Sequence, residues 1–176
     1  MTRFLVVLII GASLLLLAGC ATGAKMVNMT PANLSVTSQH PYSVSTAVSG
    51  GEDTSALAQS KISDEAFRGA LEAAIRDSRV FSGVVSIDGA DYHLQVVITN
   101  LGQPVAGFNM TVTITTHWKL TQRGSSQPIW QDFIATKHTA TVGDQVLGVE
   151  RLRLANEGAA RKNIEEGIRR LSALSL

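Results

Sequence analysis

The sequence predicts an α+β fold, a two-layer sandwich in which a mainly antiparallel four-stranded sheet is covered on one face by two helices. Three observations lead to this prediction. Apolar and polar residues alternate between residues 90 and 140, two other segments repeat apolar residues at helical spacing, and the connections between strands are short and rich in turn-forming residues. The predicted order along the chain is strand, helix, three strands, helix.

The first 19 residues predict a secretory signal peptide. The chain starts with its α-amino group and Arg3, continues with an apolar core that ends at Leu17, and closes with the small residues Ala18 and Gly19. A helix needs roughly 20 apolar residues to cross the hydrocarbon of a bilayer, and this core is shorter. Export followed by cleavage is therefore favoured over a permanent transmembrane helix.

The quartet Leu17-Ala18-Gly19-Cys20 holds the only cysteine of the chain and resembles the bacterial lipobox. The resemblance implies cleavage before Cys20, a diacylglycerol on its thiol and an acyl chain on the new amine, with no other cofactor. A buried core cysteine or a reactive thiol would not account for a position directly after an apolar run. In lipoproteins of this kind an aspartate after the cysteine favours the inner membrane, so Ala21 implies the outer membrane.

The chain length predicts one domain, and the formal charges of this domain are balanced. Removing 19 of the 176 residues leaves 157, about the length of a single domain. Arg3 is the only basic side chain removed, so 14 Lys and Arg face 14 Asp and Glu, and no net charge favours nucleic acid. Residues 20–41 are polar and aperiodic, which predicts a lipidated flexible tether. Residues 42–176 predict a single α+β periplasmic domain.

A short strand and a helix open this domain. Val44 and Val48 alternate with small polar residues, and the strand is expected to end at Gly50. Ser63 can cap the following helix, whose first turn is acidic. The apolar stripe of that helix consists of Phe67, Ala70, Leu71, Ala74 and Ile75. This helix is expected to lie on an apolar surface.

The two segments 91–99 and 108–121 predict strands with one apolar and one polar face. The apolar faces consist of Tyr92, Leu94, Val96 and Ile98 in the first strand and of Phe108, Met110, Val112, Ile114, Trp118 and Leu120 in the second. A third segment, 128–142, is less regular, because Ile129 and Phe133 share one parity and Trp130 the other; this indicates a bulge or an edge strand. Short connections predict an antiparallel meander.

The chain closes with a predicted helix over residues 148–174. Its packing stripe is predicted to be Leu152, Ala160, Ile164, Ile168 and Leu171. A solvated face is indicated by three charge pairs at i,i+4, namely Glu157 with Arg161, Glu165 with Arg169, and Glu166 with Arg170.

The residues contain no specific catalytic or metal-binding motif: GxSxG, HExxH, CxxC and a glycine-rich nucleotide fingerprint are all missing from the sequence. The candidate site is instead the polar sheet face with Thr111, Thr113, Thr115, His117 and His93. Threonine favours strands, so this row is consistent with a plain solvated face. The alternative is that another chain or a sugar-rich ligand docks there through hydrogen bonds to the hydroxyl groups. If the two histidines lay together, they could bind a metal or shuttle a proton.

The lipobox, the tether and the layout of "ADYHLQVVITNL" followed by "FNMTVTITTHWKL" resemble small outer-membrane lipoproteins of Gram-negative bacteria, namely the YajG-type lipoproteins and the lipopolysaccharide-assembly lipoprotein LptE. The resemblance implies a periplasm-facing accessory that binds an envelope protein or a glycolipid without catalysis. The alternative is an envelope enzyme, a sugar or acyl transferase, that uses His93 or His117 as its base.

Overall fold

The structure, a computed structural model, describes residues 22–55 and 59–176. The predicted signal peptide and Cys20 lie outside these residues. The helices are α1 (Met26–Met29), α2 (Asp64–Ser78) and α3 (Gly148–Ser172). The strands are β1 (His40–Ser49), β2 (Phe81–Val84), β3 (Tyr92–Gly102), β4 (Met110–Gln122) and β5 (Pro128–Ala140). Within the described ranges, no helix is both long enough and apolar enough to span a bilayer.

The five strands form one mixed sheet in the order β2-β1-β3-β4-β5. β1 runs parallel to both β2 and β3, whereas β3, β4 and β5 form the predicted antiparallel meander. The α+β class is confirmed, but a four-stranded sheet with two helices was only roughly right. The prediction missed β2 because its four residues are too few to show an alternation.

Helix α2 forms as the sequence predicts. Ser63 accepts a hydrogen bond from the backbone N–H of Ala66 at 3.2 Å, while Asp64 and Glu65 occupy the first turn. The whole predicted apolar stripe of α2 is buried. The helix ends at Arg79, which adopts a left-handed conformation and donates its N–H to the carbonyl of Ile75.

The apolar faces of β3 and β4 are buried as predicted, with one exception. Phe108 was expected on the core face of the second strand but is 85% exposed. It lies before β4, which begins at Met110, so the alternation in the sequence extends beyond the strand. Thr116 continues the core face of β4 and is fully buried, although it is polar.

Strand β5 is both irregular and at the edge of the sheet, as its mixed parity indicates. Leu120 of β4 pairs with Trp130, and the next residue, Thr121, pairs with Pro128. Ile129 therefore has no partner on β4 and forms a bulge. Beyond this shift, Phe133 and its parity partners lie on the polar side of the sheet. Ile134 instead joins the core.

Helix α3 buries its predicted stripe, but its charge pairs differ from the prediction. Glu166 pairs with Arg170 as expected and also with Arg169, which was assigned to Glu165. Glu157 was expected to pair with Arg161 on the solvated face. Its side chain is in fact only 2% exposed and bonds to Arg153 at 2.6 Å.

The buried carboxylate of Glu157 holds the start of the described chain on α3. It accepts hydrogen bonds from the backbone N–H of Lys25 and from the side chain of Asn28, both at 2.9 Å. Met29, at the end of α1, is fully buried. Residues 24–30 were assigned to a flexible tether, but they pack on the domain because Glu157 of α3 accepts their hydrogen bonds with its buried carboxylate.

The largest fully buried side chain is that of Trp118, which lies between β4 and α3. Its Nε1 donates to Thr116 Oγ1 at 2.7 Å, and Asn163 on α3 lies within hydrogen-bond distance of both. The indole leaves no room on the helix above it, because a Cβ at Gly167 would stand 2.3 Å from the ring. Glycine at this position therefore allows α3 to approach the sheet.

We predict that Gly167→Ala lowers the free energy of unfolding by about 1–3 kcal/mol, because the added methyl group overpacks a rigid indole. Gly83→Ala is the matched control, since an added Cβ there would meet nothing within 4 Å; its effect should stay within about 0.5 kcal/mol. Urea melts followed by circular dichroism measure both. Equal stability of the two variants would contradict the proposed close approach.

Candidate functional site

The candidate site is the sheet face opposite the helices, which we call the open face. Its residues in β3, β4 and β5 alternate with the buried ones and are half-buried or exposed. They are His93, Gln95 and Val97 from β3, Thr111, Thr113, Thr115, His117, Lys119 and Thr121 from β4, and Gln131, Phe133, Ala135, Lys137 and Thr139 from β5. The structure thus places every predicted site residue on one face.

The threonine row lies beside β5 and is bordered by its side chains. Thr111 pairs with Thr139, and their hydroxyl oxygens are 2.8 Å apart. Thr113 lies opposite Lys137, and Thr115 lies opposite Ala135. These neighbours give the row hydroxyl donors and acceptors, one cation and a small apolar gap. Such a surface can form hydrogen bonds with a docked chain.

An aromatic stack interrupts this polar surface. His117 pairs with Phe133, and their rings are parallel within 7° with centroids 4.2 Å apart. On its other side His117 lies opposite Val97. The Phe133 side chain is nevertheless 61% exposed. No role for Phe133 was expected from the sequence, because its place beside His117 depends on the register between β4 and β5.

The two candidate histidines lie apart. His93 is opposite Thr121 and His117 is opposite Val97, so four residues separate them along the strands, or about 13 Å. They cannot share a metal ion or a proton directly. Within the part of the chain that the structure describes, no group of three or more His, Cys, Asp or Glu side chains could hold a metal.

His93 has a serine partner that the sequence did not reveal. Its Nδ1 is 2.7 Å from Ser45 Oγ on the neighbouring strand β1, and Ser45 is buried. Both line an open groove of about 530 Å³ at the edge of β1. Glu72 also lines this groove, but it binds Thr46, whose side chain is on the opposite face of β1. Serine, histidine and carboxylate therefore do not converge.

A second polar pair supports the start of β3. Asp91 accepts hydrogen bonds from the backbone N–H of Ser43 at 2.9 Å and from its hydroxyl at 2.7 Å. These two donors, the backbone one first, hold the pKa of the Asp91 carboxyl below its usual range. The carboxylate is thus fixed as a link between β1 and β3, and it is not poised to exchange a proton near neutral pH.

Together, the fold and the open face define a small α+β domain with helices on one side of a mixed sheet and a partly aromatic surface on the other. No protein-family model matches the chain, and no curated protein matches its sequence. Solved structures do share the fold. A Xanthomonas campestris protein of the DUF330 family matches at 12% identity with a TM-score of 0.56, over 85% of this chain and 90% of the other.

Two further structures are similar to the same extent. A minor lipoprotein of Acinetobacter baumannii matches at 11% identity with a TM-score of 0.53, over 77% of this chain and 93% of that one. PelC of Paraburkholderia phytofirmans, solved as a dodecamer, matches at 10% identity with a TM-score of 0.51, over 81% and 94% of the two chains. At these identities the likeness shows a common fold.

The assignment of the two faces generates a stability prediction. Ile114 is fully buried, so Ile114→Ala should cost about 2–5 kcal/mol through lost burial and the cavity it leaves. Thr113 is its neighbour on the open face, and Thr113→Ala should cost well under 1 kcal/mol. Urea melts compare the two variants. If Thr113→Ala were the more destabilising change, the assignment of faces would be wrong.

Proposed function

We propose that this chain is an outer-membrane lipoprotein of a Gram-negative bacterium that faces the periplasm and binds another envelope protein through its open face, without catalysis. In this proposal Cys20 carries the diacylglycerol and the N-acyl chain. Two or more acyl chains anchor a protein stably, whereas a single chain gives only marginal binding.

Two observations support the anchor: the lipobox in the sequence, and a lipoprotein among the solved structures with the same fold. The lipobox ends at Cys20, and Ala24 and Lys25 already donate hydrogen bonds to the domain, to Lys61 and Glu157. The Acinetobacter baumannii protein of the same fold is described as a lipoprotein. An anchor directly before a domain of this fold is what a small envelope lipoprotein requires.

The observation that carries the binding role is the exposed Phe133–His117 stack within a polar face. Protein interfaces are enriched in aromatic residues at their centre and in polar groups at their rim. Here the stack supplies the centre, while Thr113, Thr115 and Lys137 supply the rim. We favour a protein over a glycolipid as the partner, because an exposed aromatic pair within a polar surface is typical of protein interfaces.

The hydrogen bond between Ser45 and His93 favours the second candidate, an envelope transferase. A serine next to a histidine base is the beginning of a nucleophile site. In the described ranges, however, no carboxylate hydrogen-bonds to the His93 ring, and a base normally needs such a partner to orient it. The pair is therefore better suited to joining β1 to β3 than to catalysis.

The first prediction of this proposal concerns the anchor. Acylation requires the thiol, so Cys20→Ser should yield an exported protein without attached lipid that no longer fractionates with the outer membrane. Intact mass and membrane fractionation measure this. If both stayed unchanged in the variant, the lipoprotein proposal would be lost.

The second prediction concerns the open face. A photo-crosslinking residue placed at Ala135 should capture one envelope protein in intact cells. Thr113→Glu combined with Thr115→Glu should abolish this capture and leave the domain folded, because an unpaired charge is costly at an interface but not in water.

The matched control carries the same two charges elsewhere. Ser126→Glu with Gln127→Glu places them in the exposed β4–β5 turn and should leave capture unchanged. The mass of the captured species separates a different protein from a second copy of this chain, which is relevant because PelC forms a dodecamer. Capture that survives the first pair, together with a cellular phenotype lost in His93→Ala, would favour the transferase instead.

A further inference from the structure

One end of the domain concentrates exposed apolar side chains. It comprises the β3–β4 loop (103–109), the β5–α3 loop (141–147) and the first turn of α3, and we call it the loop end. Of thirteen large exposed hydrophobic residues in the described ranges, six lie here, namely Val105, Phe108, Val142, Val146, Leu147 and Val149. The three most exposed of all thirteen are among them, Val105 at 92%, Phe108 at 85% and Val146 at 76%.

A single arginine holds the two loops together. Arg151 is buried in the first turns of α3, and its Nη1 donates to the carbonyl oxygens of Gln145 at 2.8 Å and Val146 at 2.5 Å. Its Nη2 donates to the carbonyl of Gly107 at 3.2 Å. Val105 and Val149 line one groove of about 480 Å³ between the β3–β4 loop and the first turn of α3. The apolar side chains therefore belong to one surface rather than to two independent loops.

The start of the described chain lies at this same end. Thr22 Oγ1 donates to Glu150 in the first turn of α3 at 3.4 Å, and Ala24 N–H donates to the carbonyl of Lys61 at 2.9 Å. Cys20 is two residues before Thr22, so at most about 7 Å of extended chain separates their Cα atoms. Any lipid on Cys20 enters the bilayer close to the loop end.

The opposite end of the sheet has a different composition. The β4–β5 turn reads Arg-Gly-Ser-Ser-Gln over residues 123–127, and all five residues are exposed. The exposed large apolar residues near this end are Tyr42, Val85, Ile87 and Ile129, and none of them is more than 65% exposed. The loop end has two acidic residues: Glu150 is paired with Arg153 at 2.6 Å, and the exposed Asp144 accepts hydrogen bonds from the backbone N–H and the hydroxyl of Thr141. The three most exposed large apolar side chains thus lie at the end where the described chain begins, whereas the turn at the far end has none.

We propose that the loop end is a bilayer-docking surface, in which Phe108, Val105 and Val146 enter the boundary between headgroups and acyl chains. This inference rests on the proposed lipid anchor. Amphipathic helices at the membrane interface bury their apolar side chains several ångströms deep, and in this proposal the apolar side chains of the loop end are buried in the same way. In this orientation the strands run roughly along the membrane normal, with the loop end at the bilayer and the β4–β5 turn away from it. The open face is then exposed to the periplasm at the side of the domain.

The test uses the complete acylated protein reconstituted in vesicles of phosphatidylethanolamine and phosphatidylglycerol. Acylated Cys20 has no free thiol, so an introduced cysteine is the only site for an environment-sensitive fluorophore. Phe108→Cys and, independently, Val146→Cys report on the loop end. Ser126→Cys in the β4–β5 turn is the matched control. All three positions are exposed, and circular dichroism verifies that each variant is folded.

We expect the emission maxima of the probes at 108 and 146 to shift to shorter wavelength, and spin-labelled lipid to quench both probes. The probe at 126 should keep the emission maximum of a water-exposed fluorophore and should not be quenched. If the protein were acylated but all three probes emitted as water-exposed fluorophores, the docking surface would be refuted and the lipid anchor would be retained. If intact mass showed no acyl chain on Cys20, both the anchor and this inference would be overturned.

Discussion

The close contact between α3 and Trp118 determines the two-sided construction of the domain. The indole is fully buried, its N–H is satisfied by Thr116, and Asn163 connects that pair to the helix. Gly167 removes the side chain that would otherwise collide with the ring. Because a buried donor without a partner is costly, α3 has one favourable position over β4. With α2 also on this side, the opposite face of the sheet is left for other contacts.

Much of the fold follows from periodicity. The alternation in β3 and β4 defines a buried face because a one-residue shift would expose every core side chain, and the stripes of α2 and α3 are defined in the same way. β2 and α1 were missed because each has only four residues, too few to show a period. Phe108 was misplaced for the opposite reason, since the alternation begins before the first residue of β4. Glu157 followed a solvated pattern, yet tertiary contacts bury it.

The open face could be predicted only as a set of residues. The threonine row follows from β4 alone, so the sequence was sufficient to find it. The stack of His117 on Phe133 and the bond between His93 and Ser45 both depend on the register between neighbouring strands. Register is fixed by turn geometry and by packing across the sheet, and these are not visible within one segment. The same register separates the two histidines that could otherwise have been assigned a shared role.

The attachment of Lys25 and Asn28 to Glu157 also limits how far the domain can travel. Because residues 24–30 are held on α3, only the four peptide units between Cys20 and Ala24 could extend. Fully extended, they would separate the Cα atoms of these two residues by about 13 Å. A lipid on Cys20 would then hold the domain against the membrane, with little freedom to swivel. A partner located deep in the periplasm would be out of range. Any partner of this chain would have to come to the membrane surface itself, or be anchored in it.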